Sequence, residues 1–289
     1  MNILYLVFGE EQRNHTQAYF SICSFLGQMN ESDRIYILTD APKYYQRVAE
    51  RVNIVEVSKG LLEEWEGVHR FFWRVKIKAI EYICTIHPNE DVMYLDTDTF
   101  LYADIHKLKA DLKQPLMHLN EGKLSLLRSK TERMMWKQVG KKSFGGVVIQ
   151  PDHCMWNAGV VALPALKSMN IVKMALAICD NMLLAKVSRR LIEQFALSVA
   201  MSEFGIVKPA SENIGHYWAN KSEWNEVIQR FLADSFLGLR TLEQDIAIVK
   251  QWDFGKTPVQ KRVPNTQTRL KKLIENLFPA ENIQHVKTR

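Results

Sequence analysis

Across the first hundred residues, short apolar runs alternate with longer stretches of helical periodicity, and no other feature limits the fold as strongly. Residues 3–8 read as a strand, Gly9 to Thr16 as a polar loop, and the chain through about Gln28 as a helix. A second strand at 34–39 closes on the turn Asp40-Ala41-Pro42, and a third follows at 52–57. A long helix over 69–85 leads into Val92-Met93-Tyr94-Leu95, bounded by Asp91 and Asp96. Strands separated by helix-length crossovers predict an α/β fold with a mostly parallel central sheet. In such sheets the carboxyl ends of the strands form the crevice where ligands bind.

That crevice is where Asp96-Thr97-Asp98 falls. In extended chain, residues two apart point to the same side. Two carboxylates held that close need a positive partner, and hard divalent cations favour oxygen ligands. The pattern fits Mg²⁺ or Mn²⁺ shared with a phosphate-bearing substrate. A loop with two solvated aspartates fits the same residues equally well. The helix just before this strand carries Arg70, Arg74, Lys76 and Lys78, with Arg74 and Lys78 one turn apart on one face. A cation there could reach a diphosphate held at the metal; a solvated basic face is the plainer account.

Composition narrows the classes. With 289 residues, 47% hydrophobic and 24% charged, the chain has an ordinary globular make-up. The first apolar run is short, has no basic residue before it and runs into Gly9-Glu10-Glu11, so it reads as a strand and not a signal peptide. Cys23, Cys84, Cys154 and Cys179 share no C-x-x-C spacing. A zinc site or disulfide framework is therefore not expected, and a reducing, cytoplasmic setting is. From Lys256 onward there are eight basic and two acidic residues, an excess equal to the whole formal net charge of +6. A neutral body with a basic tail argues against a broad nucleic-acid surface. In that tail Leu270, Leu273, Ile274, Leu277 and Phe278 recur at helical spacing beside Arg269, Lys271 and Lys272. A basic amphipathic helix of this kind suits peripheral contact with an anionic membrane, or docking on its own domain.

Three further stretches bear on function. The segment 123–142 is basic, polar and without clear periodicity, and reads as a mobile cover over the site. Trp156-Asn157-Ala158-Gly159-Val160 is a strand interrupted by small residues. Glycine there marks either a close approach by a ligand or another backbone, or a packing bulge. His216-Tyr217 stands five residues before Lys221 in an aromatic loop ending at Trp224, which suits a metal ligand followed by a phosphate-binding cation.

In that order, these elements resemble the GT-A glycosyltransferases, and among them the retaining family 8 enzymes (glycogenin and the bacterial lipopolysaccharide galactosyl- and glucosyltransferases). The resemblance covers roughly residues 1–235. It implies a Rossmann-like GT-A catalytic domain there, with a mixed, mostly parallel central sheet flanked by helices, and 236–289 as a helical, basic extension. It implies that Asp96, Asp98 and His216 bind Mn²⁺ (or Mg²⁺), which holds a nucleotide-sugar, with Lys221 on the diphosphate and Arg74 or Lys78 assisting. Phe8 and Thr97 join the donor-binding set, Asn157, Ala158 and Gly159 line the sugar pocket, and Glu193-Gln194 positions sugar and acceptor. The expected activity is transfer of a hexose, with retention, from a UDP-sugar to a saccharide, glycolipid or polysaccharide precursor, at the inner face of a membrane.

The chain departs from the family pattern at several points. Phe8-Gly9-Glu10 replaces the acidic residue that usually holds the base, Ser222 follows Lys221 where proline is common, and the interval from Glu193 to His216 is short. Glu243-Gln244-Asp245 offers a second acidic-Gln pair, out of order. Three rivals remain. A haloacid dehalogenase-type phosphatase would use Asp96 as nucleophile, but Phe100 stands where Thr or Val belongs. A sugar-nucleotide pyrophosphorylase would want a glycine-rich basic loop after the first strand, and the loop here is acidic. A non-catalytic nucleotide-sugar-binding relative would keep the same residues.

Overall fold

The computed structural model describes residues 1–261 and 265–278. Seven strands form the central sheet, and their alternating side chains build two cores. The strands are β1 (Asn2–Val7), β2 (Arg34–Thr39), β3 (Asn53–Glu56), β4 (Val92–Leu95), β6 (Leu116–Met117), β11 (Val160–Leu163) and β12 (Lys208–Pro209). Between them lie β5 (Thr99–Leu101), β7 (Asn120–Lys123), β8 (Ser143–Phe144), β9 (Val147–Val148) and β10 (Cys154–Trp156); β13 (Ile214–His216) follows β12. The sheet order is β12-β6-β11-β4-β1-β2-β3, and only β11 runs against the rest. This is the mostly parallel α/β sheet that the strand–helix alternation predicts; β11 makes it mixed, which is consistent with a Rossmann-like GT-A fold.

The helices are α1 (Gln12–Leu26), α2 (Lys59–Glu66), α3 (Arg74–Ile86), α4 (Ile105–Asp111), α5 (Lys130–Val139), α6 (Ser168–Leu184), α7 (Ile192–Phe204), α8 (Lys221–Leu237), α9 (Leu242–Lys250) and α10 (Asn265–Leu277). Leu4, Tyr36, Tyr94 and Val161 face one side of the sheet and pack with Ile77 and Ile80 of α3, Ile171 of α6 and Phe195 of α7. Ile3, Tyr5, Ile37 and Leu95 face the other and pack with Phe20 of α1, Trp224 and Phe231 of α8, and Ile246 of α9. The period of two in each strand is thus resolved into two separate apolar layers.

Two expectations change in this frame. The long helix expected at 69–85 begins only at Arg74. Gly67 (φ 69°) ends α2 and Arg70 (φ 47°) turns the chain in the left-handed region, so residues 67–73 form a loop that brings Phe72 and Trp73 to the crevice. The segment expected as a mobile cover instead contains α5, started by a capping box in which Ser129 accepts from Glu132 N and Glu132 accepts from Ser129 N.

Within 236–289, α9 packs on α1, and buried Asp245 accepts from Tyr19 (2.8 Å) and Ser235 (2.7 Å) beside Arg47 (2.9 Å). Helix α10 leaves Leu270, Leu273, Ile274, Leu277 and Phe278 exposed. The basic residues Arg262, Lys287 and Arg289 lie outside the described residues. Among the described residues, no helix is long and apolar enough to cross a membrane.

Candidate metal and donor site

Strand β4 ends at Leu95, and the turn after it is tied down from both sides. Asp96 N donates to Gly159 O (2.9 Å), Thr99 Oγ1 donates to Asp96 O (2.8 Å), and Thr97 Oγ1 donates to Gln17 Oε1 (3.1 Å). Thr97 thereby faces α1, while the two carboxylates share the crevice side. Strand β13 pairs antiparallel with β5, opposing His216 to Thr99. One ligand atom each from Asp96, Asp98 and His216 then lies within 4.8 Å of the others.

Asp98 is buried. Its Oδ2 is 2.9 Å from Lys221 Nζ and 3.4 Å from His216 Nε2, yet neither contact closes as a hydrogen bond, so the oxygen keeps a lone pair free. Burial pushes this carboxyl up, but His216 and Lys221 prevail and hold it well below the usual carboxylate range. Asp96 is more open, and its Oδ1 accepts from Tyr94 OH (2.7 Å) with Lys76 Nζ at 3.2 Å. Two carboxylates and an imidazole, one oxygen unsatisfied, fit a cation such as Mn²⁺ or Mg²⁺.

His216 is oriented by the small-residue step. Gly159 N donates to Asn157 Oδ1 (3.0 Å), which identifies that atom as the oxygen, and His216 Nδ1 lies 3.0 Å from the same oxygen. Nδ1 must therefore carry the proton, leaving Nε2 free to bind a metal. Gly159 answers the question the sequence left open: a Cβ there would sit 2.2 Å from His216 Cε1, so the close approach is by the histidine ring. Gly215 plays the same part beneath Phe100, whose Cζ would be 2.3 Å away. His118 stacks edge-on against His216 (5.1 Å), and burial, with the neighbouring imidazole adding to it, lowers its pKa to about 4.

The sequence-predicted residues divide. Asp96, Asp98, His216, Lys221, Thr97 and Phe8 surround or line one crevice of about 310 Å³, with Asn14, Phe72 and Trp73. Phe8 and Phe72 meet edge-to-face at 5.2 Å, while Phe72 (49%) and Trp73 (50%) remain half exposed at its mouth. Asn157, Ala158, Gly159 and Glu193 do not line it; Ala158, Gly159 and Glu193 sit behind it, joined to its wall through Asp96 N–Gly159 O and the Lys76 contacts to Ala158 O and Glu193. Arg74 and Lys78 are elsewhere: Arg74 grips Asp180 (2.7 and 3.0 Å) and Trp65 O (2.7 Å), and Lys78 pairs with Glu81. Their place is taken by Lys76, because two residues along a helix is a turn of about 200° and reverses the face.

Lys76 is the residue that sequence reasoning passed over. Its Nζ sits 3.2 Å from Asp96 Oδ1, 3.1 Å from Glu193 Oε1, donates to Ala158 O (3.2 Å) and lies 4.9 Å from the Tyr94 ring centre. Burial alone would lower its pKa, but the two carboxylates carry it above the usual lysine value. Glu193 is raised, chiefly by burial and also by Asp96, with Lys76 opposing. A signal was present: Lys76 is in helical register with Ile80 and Ile83, both fully buried, so a lysine there had to find a partner inside. Glu121 was also missed. Its carboxylate accepts from Gln194 Nε2 (3.2 Å) and lies beside the Asn157 side chain, and burial raises its pKa.

No family model matches this sequence, and neither does any curated protein. Among solved structures, the chain is similar to the crystal structure of mouse xyloside xylosyltransferase 1 in its apo form. The likeness has a TM-score of 0.48 and 10% identity, over 72% of this chain and 85% of that one.

Proposed function

We propose that this chain is a metal-dependent glycosyltransferase of the GT-A type, moving a hexose with retention from a UDP-sugar to a saccharide, glycolipid or polysaccharide acceptor. The observation that carries this reading is the convergence of Asp96, Asp98 and His216 beside Lys221, at the carboxyl end of β4 and on the wall of an open crevice. A nucleoside diphosphate is a leaving group whose charge grows as the anomeric bond breaks. A divalent ion held by Asp96, Asp98 and His216 would stabilise that charge.

The remaining roles belong to the chain's own groups. Lys221, half exposed at the start of α8, reaches the diphosphate side of the crevice. Phe8, Phe72 and Trp73 offer aromatic faces to the base, with Asn14 and Thr97 along the same wall. Asn157, Ala158 and Gly159 border the sugar, and Glu193, neutralised by Lys76, positions it together with Gln194. The basic tail and the exposed apolar row of α10 suit a peripheral place on the cytoplasmic leaflet, near a lipid-linked acceptor.

A thermal-shift panel of nucleoside diphosphates, each with and without Mn²⁺, tests the donor site. A ligand at about 100 times its Kd adds roughly 2.7 kcal/mol to stability. The expected result is a Mn²⁺-dependent shift with UDP that disappears in Asp98→Ala; no shift with any nucleotide rejects the reading. For the tail, Leu273→Glu with Leu277→Glu is expected to abolish co-sedimentation with phosphatidylglycerol vesicles and leave the nucleotide shift unchanged. Undiminished vesicle binding would remove α10 from the account.

A further inference from the structure

Glu121 has no partner in its own ladder. Strands β7 and β10 pair antiparallel with Met155 opposite Gly122 and Trp156 opposite Asn120, so Glu121 is the extra residue of a β-bulge. Gly122 accommodates the irregularity at φ 109°, and its N–H donates to Asn120 Oδ1 (2.8 Å). A bulge re-aims a side chain out of strand alternation. Here it sends a half-buried carboxylate between the side chains of Asn157 and Gln194.

The donor and acceptor count around Asn157 makes that placement consequential. Its Oδ1 already receives Gly159 N–H and His216 Nδ1–H, so the amide nitrogen is all it has left to offer. That nitrogen stands beside an ionisable carboxylate, which when charged can only accept. The other donor reaching Glu121 is the Gln194 amide, on the first turn of α7 beside Glu193. One carboxylate thus bonds one amide and stands beside a second. The second sets the tautomer of the imidazole in the metal cluster.

We propose that Glu121 is a positioning residue for the metal site: a bulged carboxylate that locks Asn157 so that His216 presents Nε2, and that ties this half of the site to the Glu193–Gln194 end of α7. The proposal rests on the metal reading of Asp96, Asp98 and His216. In Glu121→Gln a donor replaces one acceptor, so one amide must turn away. If Asn157 turns, its NH₂ confronts both Gly159 N–H and His216 Nδ1–H.

The experiment titrates Mn²⁺ alone into the full-length chain and reads free Mn²⁺ by its paramagnetic resonance signal. Partners one step outside a metal's ligands typically change affinity 10–100-fold, and Glu121→Gln is expected to weaken binding about tenfold, at the lower end of that range. In an Asn157→Ala background the same change should add nothing, because the route through Asn157 is already cut. The exchange Glu121→Gln with Gln194→Glu restores an acceptor for each donor and should recover most of the affinity. Thermal melts of each variant accompany the titrations.

Wild-type Mn²⁺ affinity in Glu121→Gln, with binding lost in Asp98→Ala, overturns the positioning role and leaves the metal site standing. Additive losses in the Asn157→Ala background, or no recovery in the exchanged pair, also overturn it. Wild-type affinity in Asp98→Ala removes the metal reading itself, and this inference with it.

Discussion

Asp96 and Asp98 are one residue apart, yet the fold treats them as different groups. Asp98 is buried, and its partners Lys221 and His216 come from the C-terminal half of the chain. Asp96 is about one-third exposed, and its partners Tyr94 and Lys76 come from its own strand and the helix before it. Asp98 therefore depends on distant contacts, while Asp96 sits in a local arrangement that also neutralises Glu193. The difference teaches that a D-x-D pair is not a symmetric clamp. One carboxylate is held ionised and waiting, and the other is shared between the crevice and a buried lysine.

The sharpest way to break this contrast is to remove one cation from each side. Lys76→Met strands the buried Glu193 next to Asp96, and removing one partner of a buried pair costs about 3 kcal/mol or more. Urea unfolding is expected to show that loss, whereas Lys221→Met, with its exposed head, should change stability by less than about 1 kcal/mol. Equal losses would erase the distinction.

Next in size is a pH effect on the His216 side, measured on metal-free protein. His118 has a folded pKa of about 4, below the usual histidine value, so the unfolded chain takes up its proton first. Stability should therefore fall as pH drops through about 6.5 toward 4, by up to roughly 3 kcal/mol. In His118→Gln this part of the slope should be absent. The depressed Asp98 works in the same direction at lower pH, since its contribution is present above the unfolded carboxylate pKa and lost as pH falls toward the folded value. A slope unchanged by His118→Gln would place the titration elsewhere.

Lys221→Ala is expected to weaken Mn²⁺-dependent binding of a nucleoside diphosphate about tenfold, or about 1.4 kcal/mol by calorimetry, with little change in binding of the metal alone. The smallest effect belongs to the far face of α3. Arg74→Met gives up a bidentate pair with the half-exposed Asp180, worth about 1 kcal/mol, and should leave the nucleotide shift intact. A lost shift there would return Arg74 to the donor site.

Much of the fold was legible because it is written in period and punctuation. The strands at 3–8, 34–39 and 92–95 carry apolar side chains for two cores, and α1 runs through the stretch read as a helix, though it starts at Gln12, inside the expected loop. The start of α3 was not legible, since Phe71, Phe72 and Trp73 continue the helical pattern while Arg70 leaves helical space. Helix α5 was hidden in the same way, because its polar composition conceals a start signal that lies in the Ser129–Glu132 pair.

Within the site, Asp96, Asp98, His216 and Lys221 could be proposed from residue type and order. Arg74 and Lys78 were the natural cations by charge and spacing, yet they point away because a helix face is fixed by what its neighbours bury. The bulge that turns Glu121 has no signature in Asn120-Glu121-Gly122 beyond a glycine.

The sequence by itself determined an α/β sheet whose fourth strand ends in two carboxylates, since side-chain period and the demands of like charge act over a few residues. Only the tertiary structure decided which lysine reaches Asp96, why position 159 must be glycine, and how an imidazole 118 residues beyond Asp98 comes to face it. Those outcomes depend on the angle at which α3 lies on the sheet and on the pairing of β13 with β5. Packing sets both, over distances along the chain at which local preference carries no information.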